Sequence, residues 1–382
     1  MKNKNIMLLE NKKVAIIGAG PVGLTLAKLL QQKGVSVTVY ERDKNENARI
    51  MGGTLDIHID TGQKALEKAG LIEDFYKIAR PTGERAANID GHVIMEEFPK
   101  DAHLYDRPEI DRNDLRKLLI ENLNNGTVVW DRKFLSLTKN NGGYDLNFDG
   151  NFVETADLII AANGGMCNLR KYVTDATPQY TGTIIIQGEV LNPDIDCSNF
   201  KEICGKGNLM VIGEQKMLFS QTKANDALNY YVSFKKPENW LIEHKLNFED
   251  KNSIITFLKN LLVNWHESYH ELFLATDTFT LLPMRKMPLD NPWQAKNNIT
   301  LIGDAAHVMP PFSGIGVNIG LLDALYLAEN LTSGQYQNIE EAIQSYEIRM
   351  FKYASKAQQE TTDAEAGIHS DEDIIDIIKD RR

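Results

Sequence analysis

Glycines at positions 18, 20 and 23, followed by Glu41, have the types and spacing of a cradle for a dinucleotide. Glycine allows a tight turn and close backbone approach to a pyrophosphate, and Pro21 and Val22 open the helix whose positive end faces it. A carboxylate 18 positions beyond Gly23 is suited to accept a ribose hydroxyl, with Arg42 beside it as a cation. A free ribose 2′-hydroxyl is common to NAD and FAD, so this unit leaves both open. Near the other end stand Gly303-Asp304-Ala305-Ala306-His307, then Pro310-Pro311-Phe312, then Gly314-Ile315-Gly316-Val317-Asn318-Ile319-Gly320. Asp304 is placed either to accept a sugar hydroxyl with charge assistance or to cap a helix. The prolines keep that segment extended, and Gly314 and Gly316 let backbone N–H groups approach an anion at a helix start. His307, a single histidine, reads as a structural hydrogen bonder.

The elements that must position these residues follow from pattern. Val14 to Ile17 is a continuous apolar run suited to a strand buried on both faces, and Leu24 to Leu30 is helix-forming up to Gly34. Val35 to Tyr40 alternates as a strand, while Ala156 to Ala162 and Asn298 to Ile302 run as buried strands into Asn163-Gly164-Gly165 and Gly303. A helix is expected over Asn113 to Asn122, just after Arg112. Between about residues 179 and 263 the pattern changes to short strands at Thr183 to Val190, Leu209 to Ile212, Lys216 to Phe219 and Ala227 to Phe234. Alternation sets Asn229 and Tyr231 on one face and Tyr230 and Val232 on the other, and Gln187 inside an isoleucine-rich strand requires partners for its amide. Ile339 to Glu360 reads as a long helix bracing the molecule, followed by an isoleucine-repeating, acid-faced tail over 371–379.

Composition limits the function classes. The chain has 382 residues, 42% hydrophobic and 25% charged, enough for about two domains and a large core. A net charge of −11 argues against a nucleic-acid partner, because phosphate binding rests on Lys and Arg. Cys167, Cys197 and Cys204 show neither disulfide nor metal spacing, and reduced thiols in a cytoplasm fit them. No apolar run has the length of a membrane helix or a signal peptide, so a soluble cytoplasmic chain, as a monomer, is expected.

Taken together, Gly18-x-Gly20-x-x-Gly23, Gly303-Asp304-x-x-His307-x-x-Pro310 and Gly314-x-Gly316-x-Asn318-x-Gly320 resemble the single-component FAD-dependent aromatic hydroxylases, which have the fold of para-hydroxybenzoate hydroxylase. The resemblance runs end to end. Within that group the chain is most similar to the tetracycline-inactivating flavin monooxygenases. It shares Ala48-Arg49-Ile50-x-Gly52-Gly53-Thr54-Leu55-Asp56, Glu109-Ile110-x-Arg112-Asn113-Asp114-Leu115-Arg116, Ala162-Asn163-Gly164-Gly165-Met166 and Gly303 to Phe312. The resemblance implies an α/β fold with a Rossmann-like FAD domain over 1–74, 93–178 and 264–337. It further implies an inserted antiparallel substrate sheet over 75–92 and 179–263, and a bridging C-terminal helix and tail over 338–382.

The roles that follow belong to the resemblance. Arg112 meets the pyrophosphate or ribityl region, Asp304 a ribityl or ribose hydroxyl, and Arg49, Gly53 and Asp56 lie in a loop facing flavin and nicotinamide. Asn163-Gly164 stands where broad members of the group have Asp-Gly. Gln187, Asn208, Met210, Phe219, Asn229, Pro311, Phe312 and Gly314 surround the substrate. Where the tetracycline enzymes have an arginine and a histidine on the sheet, this chain has Asn208 and Asn229, which removes charge-assisted contacts worth about 1.5–3 kcal/mol each. The implied cofactor is FAD, with NADPH and O₂ as transient co-substrates, acting through a flavin C4a-hydroperoxide. No catalytic side chain and no metal is assigned. The substrate expected first is a tetracycline-type antibiotic. Another phenolic or polyketide-like compound is the second reading, and a flavin-binding protein without turnover the third.

Overall fold

The computed structural model describes residues 8–48, 52–140, 142–243, 246–372, 374 and 377. The apolar run Val14–Ile17 sits mid-sheet, between parallel strands Leu158–Ala161 and Val37–Tyr40. Ile299–Leu301 and Val128–Val129 complete the five strands at either edge. Val14, Ala15, Ile16 and Ile17 are all buried, in one core with helix Pro21–Gln31 and with the three-stranded antiparallel sheet Phe134–Lys139, Tyr144–Phe148 and Phe152–Ala156, whose Phe148 ring lies 4.8 Å from that of Tyr40. The order places the C-terminal ends of Val14–Ile17, Leu158–Ala161 and Ile299–Leu301 side by side, although they come from opposite ends of the chain. Three glycine-bearing turns thereby share one edge of the sheet, the place where open α/β sheets bind ligands.

A second sheet covers that edge. Its seven strands run in the order Thr280–Lys286, Gln179–Val190, Leu228–Lys235, Lys216–Thr222, Asn208–Gly213, Glu84–Ala87 and Val93–Glu97. All neighbours are antiparallel except Asn208–Gly213 against Glu84–Ala87, which is parallel. The domain boundaries expected at 92/93 and 263/264 therefore move. Val93–Glu97 returns as the hairpin partner of Glu84–Ala87, and Thr280–Lys286 pairs with Gln179–Val190, so both belong to this roof. Register confirms the expected alternation: Tyr230, Val232, Ile184 and Ile186 pack with Phe200, Leu258, Tyr269 and Phe273 on the back. The front carries Tyr231, Phe219 and Met210, packed with Phe312 of the cofactor side.

The C-terminal helix is longer than its sequence signal, spanning Ile339–Ile368, and its last turn docks on the roof. The Glu365 carboxylate accepts from Thr181, from Thr183 and from Lys235, and His369 contacts Ser233 Oγ at 3.1 Å. Ile368, Ile374 and Ile377 join the front cluster, so the described part of the tail packs against the body. The expected helix after Arg112 begins one residue earlier, at Arg112 itself, because Asp111 occupies the extended N-cap position.

In its first third the C-terminal helix buries Glu347, whose Oε1 accepts from Thr300 Oγ1 at 2.7 Å. Burial pushes this carboxyl up to about 7, only partly offset by its hydrogen bonds. An acid whose folded value is raised is stabilised in its protonated form, so its contribution is lost as pH rises from about 4.5 through about 7. Glu347→Gln should therefore flatten the fall in stability across that window, by about 1–3 kcal/mol between pH 5 and pH 8. Urea unfolding at the two pH values measures it, and an unchanged difference would exclude Glu347 as its source.

Candidate functional site

The site grows from the first glycine turn. Gly18 has φ +112°, and a Cβ there would lie 2.6 Å from Ala162 O and 2.9 Å from Asn163 Cα, so two neighbouring turns touch through it. A Cβ on Gly23 would meet Gly18 O at 2.3 Å. Gly20 differs: nothing lies within 4 Å of where its Cβ would be, and the same holds for Gly164 and Gly316. These glycines border open space. The helix Pro21–Gln31 begins there with no side-chain cap, leaving its first N–H groups directed outward. Glu41 is buried at the end of Val37–Tyr40 and braces the turn, its Oε2 accepting from Ala19 N at 2.6 Å and its Oε1 from Asp43 N at 3.0 Å. Arg42 is exposed beside it.

The second turn is locked by a fully buried carboxylate. Asp323 Oδ2 accepts from Gly303 N at 2.6 Å and lies 2.6 Å from His307 Nε2, while its Oδ1 accepts from Tyr353 Oη. His307 is thus fully buried on an acid partner, which raises it against the opposing effect of burial. Val22 wedges between the turns: a Cβ on Gly303 or Gly320 would lie 3.3 or 2.7 Å from its Cγ2. Arg170 staples the segment from behind, donating to Ala305 O at 2.8 Å, Gly165 O at 2.7 Å and Asp304 O at 3.1 Å. Asp304 itself is solvent-exposed while deep in the protein mass, the position of a group lining a hollow. That mass pushes its carboxyl above the usual range, opposed by His307, Arg112 and Arg170.

Between the turns and the roof runs the segment Gly52 to Asp56. Arg112 Nε donates to Gly53 O at 3.0 Å, and Gly53 N donates to Tyr231 Oη at 2.8 Å. A Cβ on Gly53 would fall 1.9 Å from Gln221 Oε1 and 3.1 Å from Asn229 Nδ2, so this glycine is required by close approach to the roof. Asp56 does not face free solvent: its Oδ2 accepts from Arg107 Nη2 at 2.6 Å and lies 2.8 Å from His58 Nε2. A Cβ on Gly314 would meet Asp56 Oδ1 at 3.4 Å. The buried Asn318 amide is occupied by backbone, donating to Asp56 O at 2.9 Å and accepting from His58 N at 2.8 Å. Its own N–H, with those of Gly316 and Val317, opens the helix Gly316–Thr332. Asn163 Oδ1 is buried without a partner at the cleft. Arg49 lies outside the described residues.

On the roof, Gln187 and Asn229 meet amide to amide at 3.0 Å. Asn208 turns away from open space and donates to Glu109 Oε1 at 2.8 Å, both side chains being buried. Met210 and Phe219 are half-buried in the front cluster, where Phe312 is buried and Pro311 exposed. Sequence reasoning set Tyr231 on the face of Asn229 without giving it a role, and assigned none to Glu109, Gln221, Asp323 and His369. Each lies inside a strand or helix, or just past a helix end, where a polar residue at a buried position was the available signal, as it was for Gln187.

The residues fit an FAD. The open space beside Gly20, the uncapped helix start, the orphaned Asn163 Oδ1 and the exposed Asp304 stand at the ends of three adjacent strands. Residues 11–361 match the family described as FAD binding domain. The chain belongs to this family. It is an FAD-dependent monooxygenase of the aromatic hydroxylase type, with the corresponding fold. It is 27% identical to monooxygenase asqM of Emericella nidulans, over 84% of the chain and 83% of that protein. It is 26% identical to the 6-hydroxynicotinate 3-monooxygenase of Pseudomonas fluorescens, over 92% and 90%. The solved structure of tetracycline destructase Tet(55) superposes with a TM-score of 0.78 at 22% identity, over 98% of this chain and 95% of that one. Among the described residues no cluster could hold a metal and no helix is long and apolar enough to cross a membrane.

The glycines separate by role. Gly20→Ala should melt within about 1 kcal/mol of the parent, since the new methyl meets no protein atom, yet lose at least about tenfold in FAD affinity. Gly23→Ala should instead cost about 1–3 kcal/mol through its clash with Gly18 O. Denaturation and flavin titration read the two effects, and unchanged FAD affinity in Gly20→Ala would show that the cofactor lies elsewhere.

Proposed function

We propose that this FAD-dependent enzyme consumes NAD(P)H and O₂ to hydroxylate a polycyclic aromatic or enolised small molecule held between the roof and the Pro311 to Gly314 segment. The observation that carries this reading is the contact of the cofactor-side segment Gly52 to Asp56 with the roof. Gly53 reaches Tyr231, and Gln221 Nε2 donates to Thr54 Oγ1 at 2.9 Å, so this segment and the roof are joined. Arg112, Asp304 and the helix starts at Gly20 and Gly316 would hold the flavin dinucleotide by charge and backbone N–H groups. Bound FAD supplies reduction by a nicotinamide and the activation of O₂. The chain's own residues orient and exclude water: Tyr231, Phe219, Met210 and Phe312 offer an apolar wall for a planar ring, and Gln187 with Asn229 adds neutral hydrogen-bonding groups.

A tetracycline-type antibiotic is the first substrate to test. A second reading, another phenolic or polyketide-like compound, is favoured by one observation: Asn208, which the resemblance places at the substrate, is bound to Glu109. The test is purification, a flavin spectrum, and NADPH oxidation followed with and without tetracycline and a panel of phenols. The expected result is a yellow protein whose NADPH oxidation is stimulated by one compound, giving a product heavier by about 16 mass units, one oxygen atom. A protein that cannot be loaded with FAD would overturn the enzyme reading. Flavin binding with stimulation only by compounds other than tetracycline would select the second reading.

A further inference from the structure

Register on the roof's front face builds one continuous row, because Gln187 pairs with Tyr231, Tyr231 with Phe219, and Phe219 with Met210. Beside it Gln221 pairs with Asn229, and Asn208 lies two residues before Met210 on the same face. The polar groups of this surface are carboxamides, one phenol and the Ser233 hydroxyl, and by register the carboxylates Glu189, opposite Asn229, and Glu84, opposite Asn208, belong to the same face. Among the described residues, four cations of the surrounding elements are held by acids: Lys223 on Glu189 at 2.9 Å, Lys235 on Glu365 at 3.0 Å, Arg80 on Asp111 at 2.7 Å and Arg107 on Asp56 at 2.6 Å. Lys286, at the far end of the edge strand, donates to Thr362 Oγ1 at 3.1 Å, and Arg112 is turned to the cofactor side through Gly53 O.

The remaining groups add acceptors. Glu109 is 5% and Asn208 8% exposed, and Glu109 Oε2 and Asn208 Oδ1 are both buried without a partner. Burial raises the Glu109 carboxyl, with the nearby Asp56 adding to the effect. The imidazole of His369 packs edge-on to Phe312 at 5.5 Å, and burial lowers it, favouring its neutral form. A carboxylate brought to this wall would lose its hydration and meet neutral groups, unpaired acceptors and carboxylates in place of a counter-charge.

We propose that this roof selects uncharged, hydrogen-bond-donating planar ligands and rejects their carboxylate counterparts. The selection rests on the hydroxylase reading above and refines its substrate class. The 6-hydroxynicotinate enzyme by its name takes a ring acid, and this chain is set apart from it by that charge rule.

Matched probes isolate the charge. FAD-loaded protein at pH 7.5 is titrated with salicylamide against salicylate and with 1-hydroxy-2-naphthamide against 1-hydroxy-2-naphthoate, following the flavin absorption spectrum and the heat of binding. In each pair the amide is expected to bind at least about tenfold more tightly than the acid. Met210→Lys, which sets an ammonium at the end of the row, is expected to narrow or reverse that ratio while the protein still binds FAD. Acids binding as tightly as amides, or FAD-loaded protein that responds to none of the four probes, would overturn the inference and leave the family intact. Failure to bind FAD at all is the separate outcome that removes the reading beneath it.

Discussion

One buried carboxylate fixes the geometry on which the rest depends. Asp323 has no solvent, and its two oxygens are taken by Gly303 N, His307 Nε2 and Tyr353 Oη. Those three partners lie on the second glycine turn, on the short helix after it and on the long C-terminal helix. A charge removed from water is tolerated only with such a full set of partners, and it then holds them in a single arrangement. The consequence is that Gly303 is kept at φ +59° against Val22, the second residue of the first cofactor helix. Two ends of the chain are thereby brought to adjacent strand ends, with Asp304 exposed there.

From those strand ends the architecture extends to the roof through two clamps. At one end Gly53 and Thr54 are sewn to Tyr231 and Gln221. At the other, Glu365 and His369 secure the last turn of the C-terminal helix to Thr181, Thr183, Lys235 and Ser233. The long helix therefore spans both halves, touching Asp323 near its middle and the roof at its end. The front of the roof carries Tyr231, Phe219 and Met210 beside the carboxamides of Gln187 and Asn229, and its Lys223 is paired with Glu189.

Much of the fold was legible because its signals are local. The run Val14 to Ile17, its glycines and Glu41 lie within one strand, turn and helix, and the structure forms them where periodicity and turn chemistry predict. Strand pairing at long range was less legible. Val93–Glu97 carries a weak alternating pattern, and its place in the roof depends on pairing with Glu84–Ala87. The site was legible in its backbone and obscure in its side chains. Glycines announce close approach whatever their neighbours, whereas Glu41, Asp56, Asn208 and Asn318 each have a protein partner that no spacing rule reveals. Asp323 reads in sequence as one more helix residue, and only packing shows that three elements converge on it.

The flavin is expected between the turns of Gly20, Asp304 and Gly316 and the side chains of Tyr231 and Phe312. A crystal structure of the FAD-loaded protein tests this placement directly. The pyrophosphate is expected at the N–H groups following Gly20, Asp304 on a sugar or ribityl hydroxyl, and the ring system between the Gly52 to Thr54 segment and Pro311 to Gly314. A flavin bound elsewhere, or one seated there without contact to Asp304, would contradict it.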